Sequence, residues 1–223
     1  MIRVFLVAGF ILSAFTQAQA HPHVWLQARA ELIFDAANNF VAVRHIWEFD
    51  EGFSAFATQG LDENGDGKFS REELAELAQI NVDSLKEFEY FTFVQMGEKD
   101  PAYGAPNDQW LEHKDGLLTL RFTLPMQETV AADPVRGFQD LTVEIFDATF
   151  FVDVAFAAEN PVRTVREDDA ESVCVAALER RKEIDPIQSK LLSEIGPDES
   201  IPEELAPQEG DLSNTIRITC PSS

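Results

Sequence analysis

The sequence predicts a mainly β protein: an antiparallel β-sandwich that carries a helix–loop–helix insertion and is closed near its C-terminus by a disulfide. Three observations predict it. Residues 24–34 and 41–49 alternate apolar and polar with the two-residue period of half-buried strands. Helically spaced apolar residues flank an oxygen-rich loop, Asp62–Glu73. An even cysteine count, Cys174 and Cys220, in an exported chain predicts one disulfide.

Export is read from the N-terminus. Arg3, the apolar run Val4–Phe15 and the small-residue pattern Ala18-Gln19-Ala20 form a secretory signal peptide over residues 1–20, too short in its apolar part to span a bilayer. The mature chain is expected to start at His21 and to form a single β-rich domain over 21–223, periplasmic, with no transmembrane segment and with the insertion at about 51–88.

The first strand places Val24, Leu26, Ala28, Ala30, Leu32 and Phe34 inward. After the turn Asp35-Ala36-Ala37-Asn38-Asn39, the second places Val41, Val43, His45, Trp47 and Phe49 inward. Opposed residues share a face, so the apolar sets match only where paired residue numbers sum to an odd value; loop length suggests 73 or 75, which puts His45 opposite Ala28 or Ala30 and His23 opposite Asp50 or Gly52. A short helix over Glu51–Gln59, with Phe53, Phe56 and Ala57, enters the loop. A longer one over Ser70–Phe88, with Leu74, Leu77, Ala78, Leu85 and Phe88 on one face, leaves it. Further strands are expected at Tyr90–Gln95, Gln109–His113 and Leu117–Leu124, with 141–146 and 149–156 as a pair around Asp147-Ala148. Residues 195–214, with Pro197, Pro202 and Pro207 among many carboxylates, read as a loose excursion before a strand at Thr215–Thr219, pinned by Cys220.

The loop has the oxygen spacing of an EF-hand. With Asp62 first, Asn64, Asp66, the Lys68 carbonyl, Ser70 and Glu73 fall on the ligand positions and Gly67 on the sharp turn. Calcium, a hard cation taking six to eight oxygens, fits that donor set. The bland alternative is an acidic turn opening a helix. Because the loop is single, its calcium reads as a structural clip rather than a switch.

His21-Pro22-His23 carries a second chemistry. Cleavage before His21 would offer an α-amine and two imidazoles, donors that suit zinc, with copper or nickel as alternatives. Pro22 has no amide hydrogen, which excludes a square-planar site built on deprotonated backbone amides. The hairpin register makes Asp50 a candidate further ligand. His45 reads as a core histidine and His113 as a strand-end surface residue. Asp147 and Asp153 either line a site or face solvent.

The net charge of −23, from 40 acidic and 17 basic residues, excludes a nucleic-acid partner, which would require clustered Lys and Arg. No nucleophile–base triad or phosphate-binding glycine loop is present in the sequence.

Several of these segments together resemble a known family. His21-Pro22-His23-Val24-Trp25, Trp47-Glu48-Phe49-Asp50-Glu51, the Asp62–Glu73 loop, 84–91, Phe122-Thr123-Leu124-Pro125 and Ile145-Phe146-Asp147 resemble, in order, the periplasmic family called domain of unknown function 1007. Its members are labelled periplasmic components of ABC-type transport systems, some associated with nickel/cobalt-exporter-like permeases and zinc handling. The resemblance implies a metal-handling accessory of an inner-membrane permease, with the metal at His21 and His23. The chain departs from the family pattern at Ala148, where a proline is usual, and at Leu26-Gln27. The expectation is a non-enzymatic periplasmic protein that binds zinc and assists a transporter. Two alternatives stand beside it: a copper enzyme with an N-terminal histidine brace completed by His113, and a calcium-stabilised interaction module.

Overall fold

The computed structural model describes residues 23–133, 138, 141–192, 195, 201–202, 204–205 and 209–221. Residues 1–20, expected to be a signal segment, and His21 lie outside the described residues, as does much of the 195–214 excursion. The described strands are β1 (Val24–Phe34), β2 (Phe40–Phe49), β3 (Thr92–Met96), β4 (Asn107–Lys114), β5 (Leu117–Val130), β6 (Leu141–Ile145), β7 (Val152–Phe156), β8 (Val162–Arg166), β9 (Val175–Glu179) and β10 (Asn214–Thr219). Helices are α1 (Glu51–Ala57), α2 (Ala75–Leu85), α3 (Pro186–Leu192) and α4 (Glu209–Leu212). Among the described residues no helix is long and apolar enough to cross a membrane.

The β1–β2 hairpin forms because its turn is held by one side chain. Asp35 Oδ1 accepts from the N–H groups of Ala37 and Asn39, both at 2.8 Å, and Asn38 takes the left-handed conformation at φ 62°. The register places Ala30 opposite His45, one of the two pairings that the apolar phase and the loop length together predict. A bulge between Ile33 and Phe34 then shifts the phase, so Phe40 enters the core in place of the expected Val41. Val41 packs instead in a small side cluster with Ile33, Ala42 and Val165.

One sheet runs β4-β5-β2-β1-β7, with β8 also on β1; the other runs β3-β6-β10-β9. Both are mainly antiparallel, but β7 and β8 lie parallel to β1, along its first and second halves. The expected pairing of 141–146 with 149–156 is corrected: β6 and β7 belong to different sheets. The reason is Asp147, nearly fully buried, whose carboxylate accepts from Thr149 N, Thr149 Oγ1 and Val152 N at 2.7–2.8 Å and turns the chain out of the β3-β6-β10-β9 sheet into the other. Asn214 Nδ2 then ties the sheets together, donating to Ile145 O at 3.2 Å and Val154 O at 3.0 Å. One continuous buried cluster, including Trp47, Phe122, Val143 and Ile216, draws on both sheets.

The helices are shorter than the periodicity predicts. α2 ends at Leu85, and a 3-10 segment, Lys86–Phe91, follows. There Glu89, Tyr90 and Phe91 all take positive φ, at 54°, 54° and 51°. This left-handed turn delays β3 to Thr92 and leaves Phe88 44% exposed rather than in the core. Cys174 and Cys220, both buried, form the expected disulfide and join the ends of β9 and β10.

Candidate metal centre

The Asp62–Glu73 loop lies between α1 and α2, and its carboxylates fold it from within. Asp62 Oδ1 accepts from Gly65 N at 2.8 Å and Asp66 N at 3.1 Å, and its Oδ2 from Gly67 N at 2.9 Å. Asn64 Oδ1 takes Asp66 N, and Asp66 Oδ1 takes Lys68 N, both at 2.8 Å. Gly67, at φ 77°, makes the turn that a side chain would strain. Glu73 closes the ring: Oε1 accepts from Glu63 N and Oε2 from Ser70 N at 2.8 Å, while Ser70 Oγ accepts from Glu73 N. These bonds, led by the backbone N–H of Ser70, hold the Glu73 carboxyl below its ordinary range.

All six predicted oxygen donors therefore sit in one loop, with Asp62 and Glu73 from its two ends linked through the N–H groups of Glu63 and Asn64. Among the described residues, no group of three or more His, Cys, Asp and Glu stands disposed to hold a metal ion. Of the six predicted donors in this loop, only Asp62, Asp66 and Glu73 are of those types. Asn64, Ser70 and the Lys68 carbonyl would complete the all-oxygen set, which suits calcium and not a soft metal.

The loop is docked, not merely exposed. Phe69 packs edge-on against His113 of β4, ring centroids 4.7 Å apart. The Arg71 guanidinium lies 4.0 Å over the ring of Trp110, and Gln109 Nε2 donates to Gln79 Oε1 of α2. On the entry side Ser54 Oγ, buried on α1, accepts from Leu118 N of β5 at 2.9 Å. Sequence reasoning missed these contacts. Phe69 carried a usable signal, as an aromatic inside an otherwise polar loop; nothing in the spacing named its partner.

At the N-terminal end, His23 donates its N–H to Phe151 O at 2.9 Å and its ring lies 4.7 Å from that of Phe151. His21, its proposed co-ligand, lies outside the described residues. Asp50 caps α1, Oδ1 accepting from Phe53 N at 3.0 Å, while Oδ2 accepts from Trp25 N at 3.0 Å. Trp25 O accepts in turn from Asp50 N at 2.9 Å. The clamp joins the first residues of β1 to the helix that leads into the loop.

The remaining histidine and aspartates have other work. His45 is fully buried, stacked 4.7 Å from Phe122, with Nε2 3.2 Å from Thr92 Oγ1. Burial pushes its pKa down to about 3. Asp153 pairs with Arg181 at 2.7 Å; burial raises its pKa, and the guanidinium opposes the rise.

Comparison with known proteins follows the same residues. The family model described as "Protein of unknown function (DUF1007)" matches residues 6–220. A protein of Spirochaeta aurantia, named an uncharacterized 15.5 kDa protein in the trpE 3' region, is 35% identical over 101 residues, 45% of this chain and 69% of that protein. No solved structure matches the chain.

Proposed function

The chain belongs to the DUF1007 family, a family of unknown function, and from that premise we propose that it is an exported metal-binding accessory protein. In this reading the mature chain starts at His21 and binds one divalent transition metal ion, zinc before nickel or copper, through His21 and His23 with Asp50 nearby. It assists an inner-membrane metal permease from the periplasm. Calcium in the Asp62–Glu73 loop serves as a structural clip.

The transition-metal part of the reading rests on the donor types of His21 and His23, and the observation that carries the calcium part is the loop itself. Its carboxylates accept the loop's own N–H groups, so they are already gathered, and each retains lone pairs for a cation. The α1–loop–α2 unit is read as EF-hand-like on that pattern, and the two sheets as the layers of a β-sandwich because one buried cluster draws on both. The Trp25–Asp50 clamp supports a link between the two sites: calcium would hold the helix pair, and α1 would hold the start of β1.

The test is native mass spectrometry of the chain starting at His21, saturated with calcium and titrated with zinc and with copper. One tightly bound zinc, lost when an alanine is placed before His21, is the expected result. Tight copper with weak zinc would move the function to a copper site built on the same amine. Calcium alone would overturn transition-metal binding and leave an interaction module.

A further inference from the structure

Residues 102–104 run beside β5, with Ala102 O accepting from Gln127 N and Gly104 N donating to Pro125 O, both at 2.8 Å. The approach is close: a Cβ at Gly104 would lie 3.3 Å from Pro125 Cγ. From this segment Tyr103 reaches the second sheet. Its hydroxyl donates to Thr92 O and accepts from Val94 N at 3.1 Å. Met96 exchanges both of its backbone bonds with Lys99. The β3 edge is therefore occupied and closed to strand addition.

Beside that edge lies a cleft of about 1040 Å³, open on one side. Two aromatic pairs line it: Tyr90 perpendicular to Tyr103 at 6.3 Å between ring centroids, and Phe93 against Phe146 at 4.9 Å. Four carboxylates, Asp83, Glu89, Asp100 and Glu144, line the same space with one cation, Lys86; Glu144 also accepts from Thr215 Oγ1 at 3.1 Å and acts on Arg217. Their field reaches the phenols. Tyr103 is raised by burial first and then by Glu89 and Asp100, and Tyr90 by burial and Asp83. Glu89 and Tyr90 hold their places through the left-handed turn, a conformation that side chains disfavour.

We propose that this cleft docks an extended basic segment of a partner polypeptide, at a site separate from the metal loop. Aromatic faces and carboxylates together recognise guanidinium and ammonium groups through cation–π contacts and charge-assisted hydrogen bonds. The cleft's size and open side suit a length of chain passing through rather than an enclosed small molecule. With the β3 edge sealed by Tyr103, recognition falls to side chains, so the segment is selected by its Arg and Lys residues.

The test is fluorescence anisotropy of the mature, calcium-saturated chain with a labelled Arg-Ser repeat peptide of about a dozen residues, at roughly physiological salt to screen distant charges. Two doubly substituted chains are compared: Asp100→Asn with Glu144→Gln in the cleft, and Glu159→Gln with Glu171→Gln outside it. Both lose the same charge. The cleft pair should weaken binding about tenfold or more and the outside pair less than about twofold. Equal weakening, or no binding by the parent chain, would overturn the proposal. Displacement of the peptide by spermine at matching affinity would also overturn it, since a small polycation would then be the occupant.

Discussion

His45 sits between Phe122 and Trp47 with no charged group of opposite sign among the described residues to favour its protonation. Its tautomer follows from its neighbour. Thr92 Oγ1 donates its only hydrogen to Tyr90 O at 2.8 Å, so it accepts from His45, and the ring carries its proton on Nε2. Nδ1 is left as a buried acceptor without a hydrogen-bond donor. Because the folded-state pKa is about 3 and the ordinary value 6.5, the unfolded chain takes up a proton in that window and the folded chain does not. The stability that neutral His45 contributes is complete above pH 6.5 and falls as pH drops toward 3, by at most about 1.4 kcal/mol per unit. Urea denaturation of the parent and of His45→Phe, repeated from neutral pH to about pH 4.5, should show the parent losing roughly 2–3 kcal/mol more than the variant. Parallel pH profiles would refute the assignment.

At the scale of elements, the Asp62–Glu73 loop and the turn at 89–91 are opposite cases. In the loop every special conformation has a residue suited to it: Gly65 and Gly67 take the positive φ angles, and short polar side chains supply the turn bonds. At 89–91 Glu, Tyr and Phe take positive φ at about 1–2 kcal/mol each, with tertiary packing of Tyr90 and Phe91 holding them there. The proposed calcium binding by the loop makes a measurable prediction. With an affinity of about 10⁻⁴ to 10⁻³ M, roughly 10 mM calcium should stabilise the chain by about 1.4–2.7 kcal/mol in thermal or urea unfolding. Glu73→Gln, which keeps the side chain's shape and removes its charge, should abolish most of that gain. A calcium effect equal in the two proteins would remove the ion from this loop.

Across the whole molecule, distant parts of the chain are joined both between the two sheets and within one of them. Asn214 bridges Ile145 and Val154, Tyr103 bridges the β5 side to β3, and the disulfide joins β9 to β10 across a sequence separation of 46. The disulfide limits the unfolded chain more than it adds contacts to the folded one. Replacing Cys174 and Cys220 together by Ala should lower unfolding free energy by roughly 2–4 kcal/mol, read from urea midpoints at constant slope. The β1–β2 hairpin should persist in the reduced chain, because its turn and register depend on Asp35 and the apolar alternation rather than on the C-terminal segment.

What the sequence determined by itself was everything encoded at short range. The alternation of 24–34 with 41–49 predicted the hairpin and placed His45 opposite an alanine, and the spacing of Asp62 to Glu73 marked the loop. An even cysteine count predicted the disulfide. These follow from periods of a few residues or from covalent chemistry, and they hold whatever surrounds them. Tertiary structure alone decided that β6 and β7 part to different sheets, that β7 and β8 lie parallel to β1, and that Phe69 docks on His113. It also decided that Glu89–Phe91 turn left-handed beside an aromatic, acidic cleft. Apart from the β6–β7 turn, which Asp147 makes through bonds to Thr149 and Val152, these depend on contacts between residues far apart in the chain, where no local period records which partner will arrive.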